Sequence, residues 1–121
     1  MVYESDVDTL VNDNCYLVKK GVRSVYCDII EVDVLDEKRA YKLLDEITDV
    51  AKEYGLICLY RILDKKDVYV TMEFWIFKHP YLKRIIESIP PKNRTYEQEW
   101  MMGKLLGYDD ESMAEHMSKF N

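Results

Sequence analysis

Leu56-Ile57-Cys58-Leu59-Tyr60-Arg61-Ile62-Leu63-Asp64-Lys65-Lys66-Asp67-Val68-Tyr69-Val70-Thr71-Met72-Glu73-Phe74-Trp75-Ile76-Phe77 is the stretch that decides the fold. Two runs rich in branched and aromatic residues, Leu56 to Leu63 and Val68 to Phe77, flank the polar tetrad Asp64-Lys65-Lys66-Asp67. That is the pattern of a β-hairpin. Val68, Val70, Met72, Phe74 and Ile76 form one uniformly apolar face. If Leu63 pairs with Val68, then Leu59 faces Met72 and Ile57 faces Phe74, and this face packs on a helix. The opposite face then carries Tyr60, Ile62, Tyr69, Thr71, Glu73 and Trp75. Arg61 interrupts the apolar set Ile57, Leu59 and Leu63. A charge there must be paired or must reach water along its stem. On this register Val70 lies opposite Arg61, so a partner has to come from another element.

Outward from the hairpin, Gly55 ends the clearest helix of the chain, residues 36–54. Ala40, Leu43, Leu44, Ile47, Val50, Ala51 and Tyr54 recur there at helical spacing behind Asp36 as cap. Val25 to Leu35 reads as a strand, with Ile30, Val32 and Val34 alternating against Glu31 and Asp33. Cys15 to Lys19 reads as a further strand turned at Lys20-Gly21, and Ser5 to Val11 as a short helix. After the hairpin, Pro80 opens a helix lined by Leu82, Ile85, Ile86 and Ile89, and Pro90-Pro91 stops it. Thr95 and Gln98 form a capping box for a helix carrying Trp100, Met101, Met102, Leu105 and Leu106. Gly107 is a left-handed stop, and Asp109 or Asp110 caps the last helix. The expected fold is α+β. Residues 1–121 form a single domain with an antiparallel or mixed four-stranded sheet. Helix 36–54 and the C-terminal helices pack mainly on one face.

Composition narrows the function classes. The 121 residues are 48% hydrophobic and 33% charged, enough for one core and a well-solvated surface. No apolar run is long enough to span a bilayer, and the acidic start, with Glu4, Asp6, Asp8 and Asp13, is no secretory leader. The expected location is the cytoplasm. Three cysteines, an odd count without CxxC spacing, read as free thiols. The net charge of −6 argues against nucleic acid as partner. The charge is uneven, however. Lys78, Lys83, Arg84, Lys92 and Arg94 cluster against a single acid, Glu87, so one anionic ligand or an acidic partner surface remains compatible.

No motif for catalysis emerges. His79 and His116 have no cysteine or second histidine at ligand spacing, and no nucleophile is placed beside either. Glu31, Asp33 and Glu73 would suit a hard cation, or equally the wet face of a half-covered sheet. Asp109-Asp110-Glu111 answers a helix dipole without any metal. The isolated glycines form no phosphate loop, and Gly103 within a helix implies close packing of a ring or a neighbouring helix. No cofactor and no metal is expected. Tyrosine is abundant, with ten residues, and Tyr60, Tyr69 and Trp75 on one sheet face would form a recognition surface unless the C-terminal helices roof it.

The run Trp75-Ile76-Phe77-Lys78-His79-Pro80, the helix end Ile86-Glu87-Ser88-Ile89-Pro90, and Glu99-Trp100-Met101-Met102-Gly103-Lys104-Leu105-Leu106-Gly107-Tyr108 resemble small accessory proteins encoded by tailed bacteriophages. The resemblance spans residues 55–118 and concerns framework positions, so it transfers no catalytic residue. It implies a small protein in the host cytoplasm that binds and blocks host machinery. The leading expectation is therefore a non-enzymatic inhibitor of a host protein, with a defence factor as one target class and a homodimer through a sheet edge or the aromatic face as one assembly. Its binding residues would be Tyr60, Arg61, Tyr69, Trp75, Lys78, Lys83, Arg84 and Arg94. The alternatives are a binder of an anionic, nucleotide-like small molecule and, third, a metal-dependent hydrolase using Glu31, Asp33 and Glu73.

Overall fold

The computed structural model describes residues 1–66 and 68–120; Asp67, placed above in the hairpin turn, lies outside them. A 3-10 turn (Glu4–Asp6) and a π-turn (Val7–Val11) lead into α1 (Asn12–Lys19). Then follow β1 (Val25–Asp33), α2 (Glu37–Glu53), β2 (Ile57–Lys65), β3 (Tyr69–Phe77), α3 (Tyr81–Ser88), α4 (Tyr96–Leu105) and α5 (Asp110–Met117).

The sheet has three strands in the order β1-β3-β2, both pairings antiparallel. This corrects the expectation of four. Cys15 to Lys19 is not a strand but the second half of α1, where Asn14, Cys15 and Val18 point inward at helical spacing. A run of five residues beside Lys-Lys-Gly fits either period, and packing of Val11, Cys15 and Val18 into the main core selects the helix. The free side of β1 is met by the N-terminus instead: Val2 N–H donates to the Ile29 carbonyl at 2.8 Å.

The helices also do not gather on one face. Even-numbered residues of β3, Val70 to Ile76, join Tyr26 and Ile30 of β1 and the stripe Ala40, Leu43, Leu44, Ile47 and Ala51 of α2, with Val11, Cys15 and Val18 from the N-terminal helix. Tyr26 meets Phe74 edge-to-face at 5.5 Å. The opposite face buries Trp75 and Phe77 beneath Leu82 and Ile86 of α3, with Met102, Leu105 and Leu106 from the α4 region packed against them. The central strand is thus covered on both sides.

Its register decides which residues share a face. Ile57 pairs with Phe77, Leu59 with Trp75 and Arg61 with Glu73; beyond Ile62 a bulge shifts the pairing so that Asp64 opposes Thr71. The hairpin is therefore longer than the tetrad implied, and its pairing differs from the expected one by an odd number of residues. An odd slip turns every side chain of one strand to the other face. Tyr60 consequently lies on the α2 side, away from Tyr69 and Trp75.

The C-terminal punctuation is as read from sequence. Thr95 accepts from Gln98 N–H and the Gln98 side chain accepts from Thr95 N–H. Gly107 has φ 87°, a value tolerated by a residue without Cβ. Asp109 is the cap of α5, its side chain accepting from Ser112 N–H.

Candidate functional site

Of the eight residues nominated for recognition, Arg61, Trp75 and Arg94 are structural. Glu73, opposite Arg61 across the hairpin and 4% exposed, is the hub of the roofed sheet face. Arg61 Nε donates to Glu73 Oε1 at 2.7 Å, and the buried Trp75 indole N–H donates to the same oxygen. Arg61 Nη1 also donates to the carbonyls of Ile86 and Ile89. These carbonyls lie at the C-terminal end of α3, where Ile86 also accepts from Ile89 N–H at 3.1 Å, and a cation is the charge that a helix C-terminus favours. Arg61 therefore fastens α3 to the sheet. Its Nη2 is buried without a hydrogen-bond partner, so the cluster is specific but costly.

A second charged cluster ties the C-terminal helices together. Arg94 Nε donates to Glu99 Oε1 at 2.9 Å, and Arg94 Nη1 to the carbonyls of Pro90 and Pro91. His116 Nε2 lies 3.1 Å from Glu99 Oε2. His116 is thus half-buried between Tyr108 and Phe120, and not an exposed helix-end residue. Burial pushes the Glu99 carboxyl up, but the hydrogen bonds from His116 and Arg94 outweigh it and hold it below its ordinary value.

The remaining nominees disperse. Tyr60 is exposed beside Tyr41 of α2, with ring centroids 6.3 Å apart, while Tyr69 is half-buried on the other face. Lys83 and Arg84 are exposed on α3. Lys92, a member of the basic cluster though not of the nominated eight, pairs with Asp64 at 3.2 Å. Lys78 faces a hollow with Arg23 and His79. The shared aromatic face of Tyr60, Tyr69 and Trp75 does not exist, since Trp75 is wholly buried and Tyr60 is across the sheet.

Glu31, Asp33 and Glu73 do not form a cation site either. Glu73 is consumed by Arg61 and Trp75, Glu31 accepts from Thr71, and Asp33 accepts from Leu35 N–H. Among the described residues no three histidine, cysteine, aspartate or glutamate side chains converge on a point. Burial pushes the Cys15 thiol up to about 12. Burial, and after it the Glu73 carboxylate, raises Cys27, and burial raises Cys58. All three stay protonated at neutral pH, which is the inert form.

What the sequence reading missed is on the outside of the roof. In α4 the buried residues are Glu99 and Gly103, while Tyr96, Trp100 and Lys104, one turn apart, lie along the flank of that side, the first two exposed and Lys104 half-buried. Trp100 is 49% exposed and Tyr96 53%. With Met113, Ala114 and Met117 of α5 they line a shallow groove of about 280 Å³, whose lining also includes Asp110, paired with Lys104 at 2.7 Å. The signal was present in Gly103: a Cβ there would press on Met113 Sδ, so this glycine marks where α4 and α5 touch. Trp100, three residues before Gly103, lies on the same flank of α4, beside the seam with α5.

A second open feature is the outer edge of β2. Among the described residues no backbone group other than those of β3 pairs with that strand. Its far end is blunted by the bulge and by Lys65, common devices against edge-to-edge pairing. Tyr60 and Ile62 stand exposed beside its near half. Among the described residues no helix is long and apolar enough to cross a membrane. Comparison with protein-family models, curated proteins and solved structures returned no match.

Proposed function

We propose that this chain is a binding protein of phage type, one that acts by contact with a host protein and inhibits it without catalysing a reaction. The observation that supports this reading is the groove of Tyr96, Trp100, Met113 and Met117. A half-exposed tryptophan beside a tyrosine is the commonest kind of interface anchor, because large rings bury much area at little cost in side-chain entropy. Methionines on the facing helix adapt to the shape of what they meet. The occupant that fits is a segment of the host protein presenting one bulky apolar side chain, with its polar flank at Lys104 and Asp110.

A photo-crosslinking amino acid at position 96, expressed in bacterial host cells, tests this. The expected result is one discrete covalent adduct that disappears when Trp100→Ala is added. Because Trp100 is half-exposed, Trp100→Ala is expected to alter stability by no more than about 0.5–1 kcal/mol. A crosslinker at position 41, on the opposite side of the sheet, should give no such adduct. No adduct from position 96, or one indifferent to Trp100→Ala, removes the reading.

A further inference from the structure

The corner between the α1–β1 turn and the β3–α3 turn holds a hollow of about 240 Å³ whose lining has a basic character unlike the rest of this acidic chain. Arg23 and Ser24 come from one turn and Lys78, His79 and Tyr81 from the other, with Leu82 among the apolar lining. No carboxylate lines it. Among the described residues no carboxylate forms an ion pair with Arg23, Lys78 or His79. The nearest carboxylates in sequence are both engaged elsewhere, Asp28 by the Met1 amino group at 3.1 Å and by the Tyr26 hydroxyl, and Glu73 by Arg61.

Arg23 is also held in place. One guanidinium nitrogen donates to Asn14 Oδ1, Asn14 in turn donates to the Leu10 carbonyl, and the guanidinium carbon lies 5.8 Å from the Tyr26 ring centroid. Arginine has five N–H donors in a rigid fork, so most remain for a ligand. A fixed arginine, a lysine and an imidazole around one cavity are the donor set of a phosphate site. They come from segments far apart in sequence, which explains why charge clustering along the chain pointed to Lys78 but not to Arg23.

We infer that this hollow binds the phosphate group of a small phosphomonoester. Each water-sized unit needs about 30 Å³, so the volume accommodates about eight, more than the five heavy atoms of a free phosphate. The rest of the ligand would leave past Tyr81, whose ring stacks on His79 at 5.8 Å and 18° and is 65% exposed. An aromatic pair at the mouth favours a ligand with a flat substituent, of which a nucleoside monophosphate is the simplest class. This site is on the α3 side of the molecule and makes no use of the α4–α5 groove, so each stands or falls alone.

Calorimetric titration at fixed ionic strength with inorganic phosphate, adenosine monophosphate and uncharged adenosine decides it. The monophosphate should saturate, phosphate should bind more weakly, and adenosine should not bind. Lys78→Gln and Arg23→Gln should each weaken the monophosphate by about tenfold, the value of one charge-assisted hydrogen bond, and Lys83→Gln by less than about twofold. Lys78 is exposed and makes no ion pair among the described residues, so its variant tests the site without threatening the fold. Absence of saturable binding below about 10 mM overturns the site. So does equal loss with Lys83→Gln, which would mean diffuse attraction, and so does adenosine binding as well as its phosphate ester. Phosphate binding as tightly as the monophosphate overturns the ester in favour of the free ion.

Discussion

The two faces of β3 are built on opposite principles. The side toward α2 is dry: Val70, Met72, Phe74 and Ile76 meet Tyr26, Ile30, Leu44 and Ile47 with no charge among them. The side toward α3–α5 sets Trp75 and Phe77 beside a buried carboxylate, Glu73, and its arginine. The first face derives its stability from area removed from water and tolerates errors of register poorly. The second derives its geometry from a few charge-assisted hydrogen bonds that link sheet, helix end and indole. Such a network is weak evidence for stability and good evidence for a single arrangement of α3 over the sheet.

Substitutions on adjacent residues of β3 separate the two principles. Glu73→Ala leaves Arg61 buried without its counter-charge and Trp75 without its acceptor, at an expected cost of about 3–5 kcal/mol. Phe74→Ala opens a cavity on the dry face and costs a similar amount. The difference lies in rescue. Adding Arg61→Met to Glu73→Leu should recover all but about 1–3 kcal/mol of the loss, the remainder being the buried Trp75 indole N–H left without an acceptor. No change at Arg61 should help Phe74→Ala. If the double variant remains as unstable as Glu73→Ala, the charged face owes its stability to the ion pair itself.

A smaller effect concerns the second cluster of the charged side. The Glu99 carboxyl is held below its ordinary 4.5 by His116 and Arg94. A carboxylate with a depressed folded value contributes stability that is fully present above about pH 4.5, its unfolded value, and that is lost as pH falls through the lower folded one. Glu99→Gln should therefore cost about 1–3 kcal/mol at neutral pH. The gap between parent and variant in urea midpoint should narrow steadily below pH 4.5. A gap that is constant from neutral pH down to about pH 3 would mean that the carboxylate charge contributes nothing.

The dry face was legible in sequence because its signal is local. Four alternating apolar residues in β3 and a six-residue stripe in α2 each declare their buried side without reference to anything else. The helix limits at Gly107 and Asp109 were legible for the same reason, since cap chemistry operates within four residues. The charged face was not, because its meaning depends on pairing. Arg61 was correctly singled out as anomalous, yet its partner, Glu73, was placed on the other face by a hairpin register one parity step away. The bulge after Ile62 that sets this register leaves no mark in composition. The fourth strand failed differently: Cys15 to Lys19 is too short for period alone to choose, and contacts with residues far along the chain made it helical.

Gly103 gives the finest test of where the two halves of the charged side meet. In an exposed helix interior, Gly→Ala gains about 1 kcal/mol of helix propensity. Here the new methyl would press on Met113 Sδ, with the Tyr108 ring also within contact. Met113 is 4% exposed and has neighbours on every side, but its thioether is flexible and can turn toward the groove. The two effects nearly cancel, so Gly103→Ala should move the urea midpoint by less than about 1 kcal/mol, whereas Gly103→Val, which β-branching prevents from turning away, should lose about 2–3 kcal/mol. A clear gain from alanine would place α5 farther from α4 than described. That would widen the groove beside Trp100 and weaken the case for an anchored partner there.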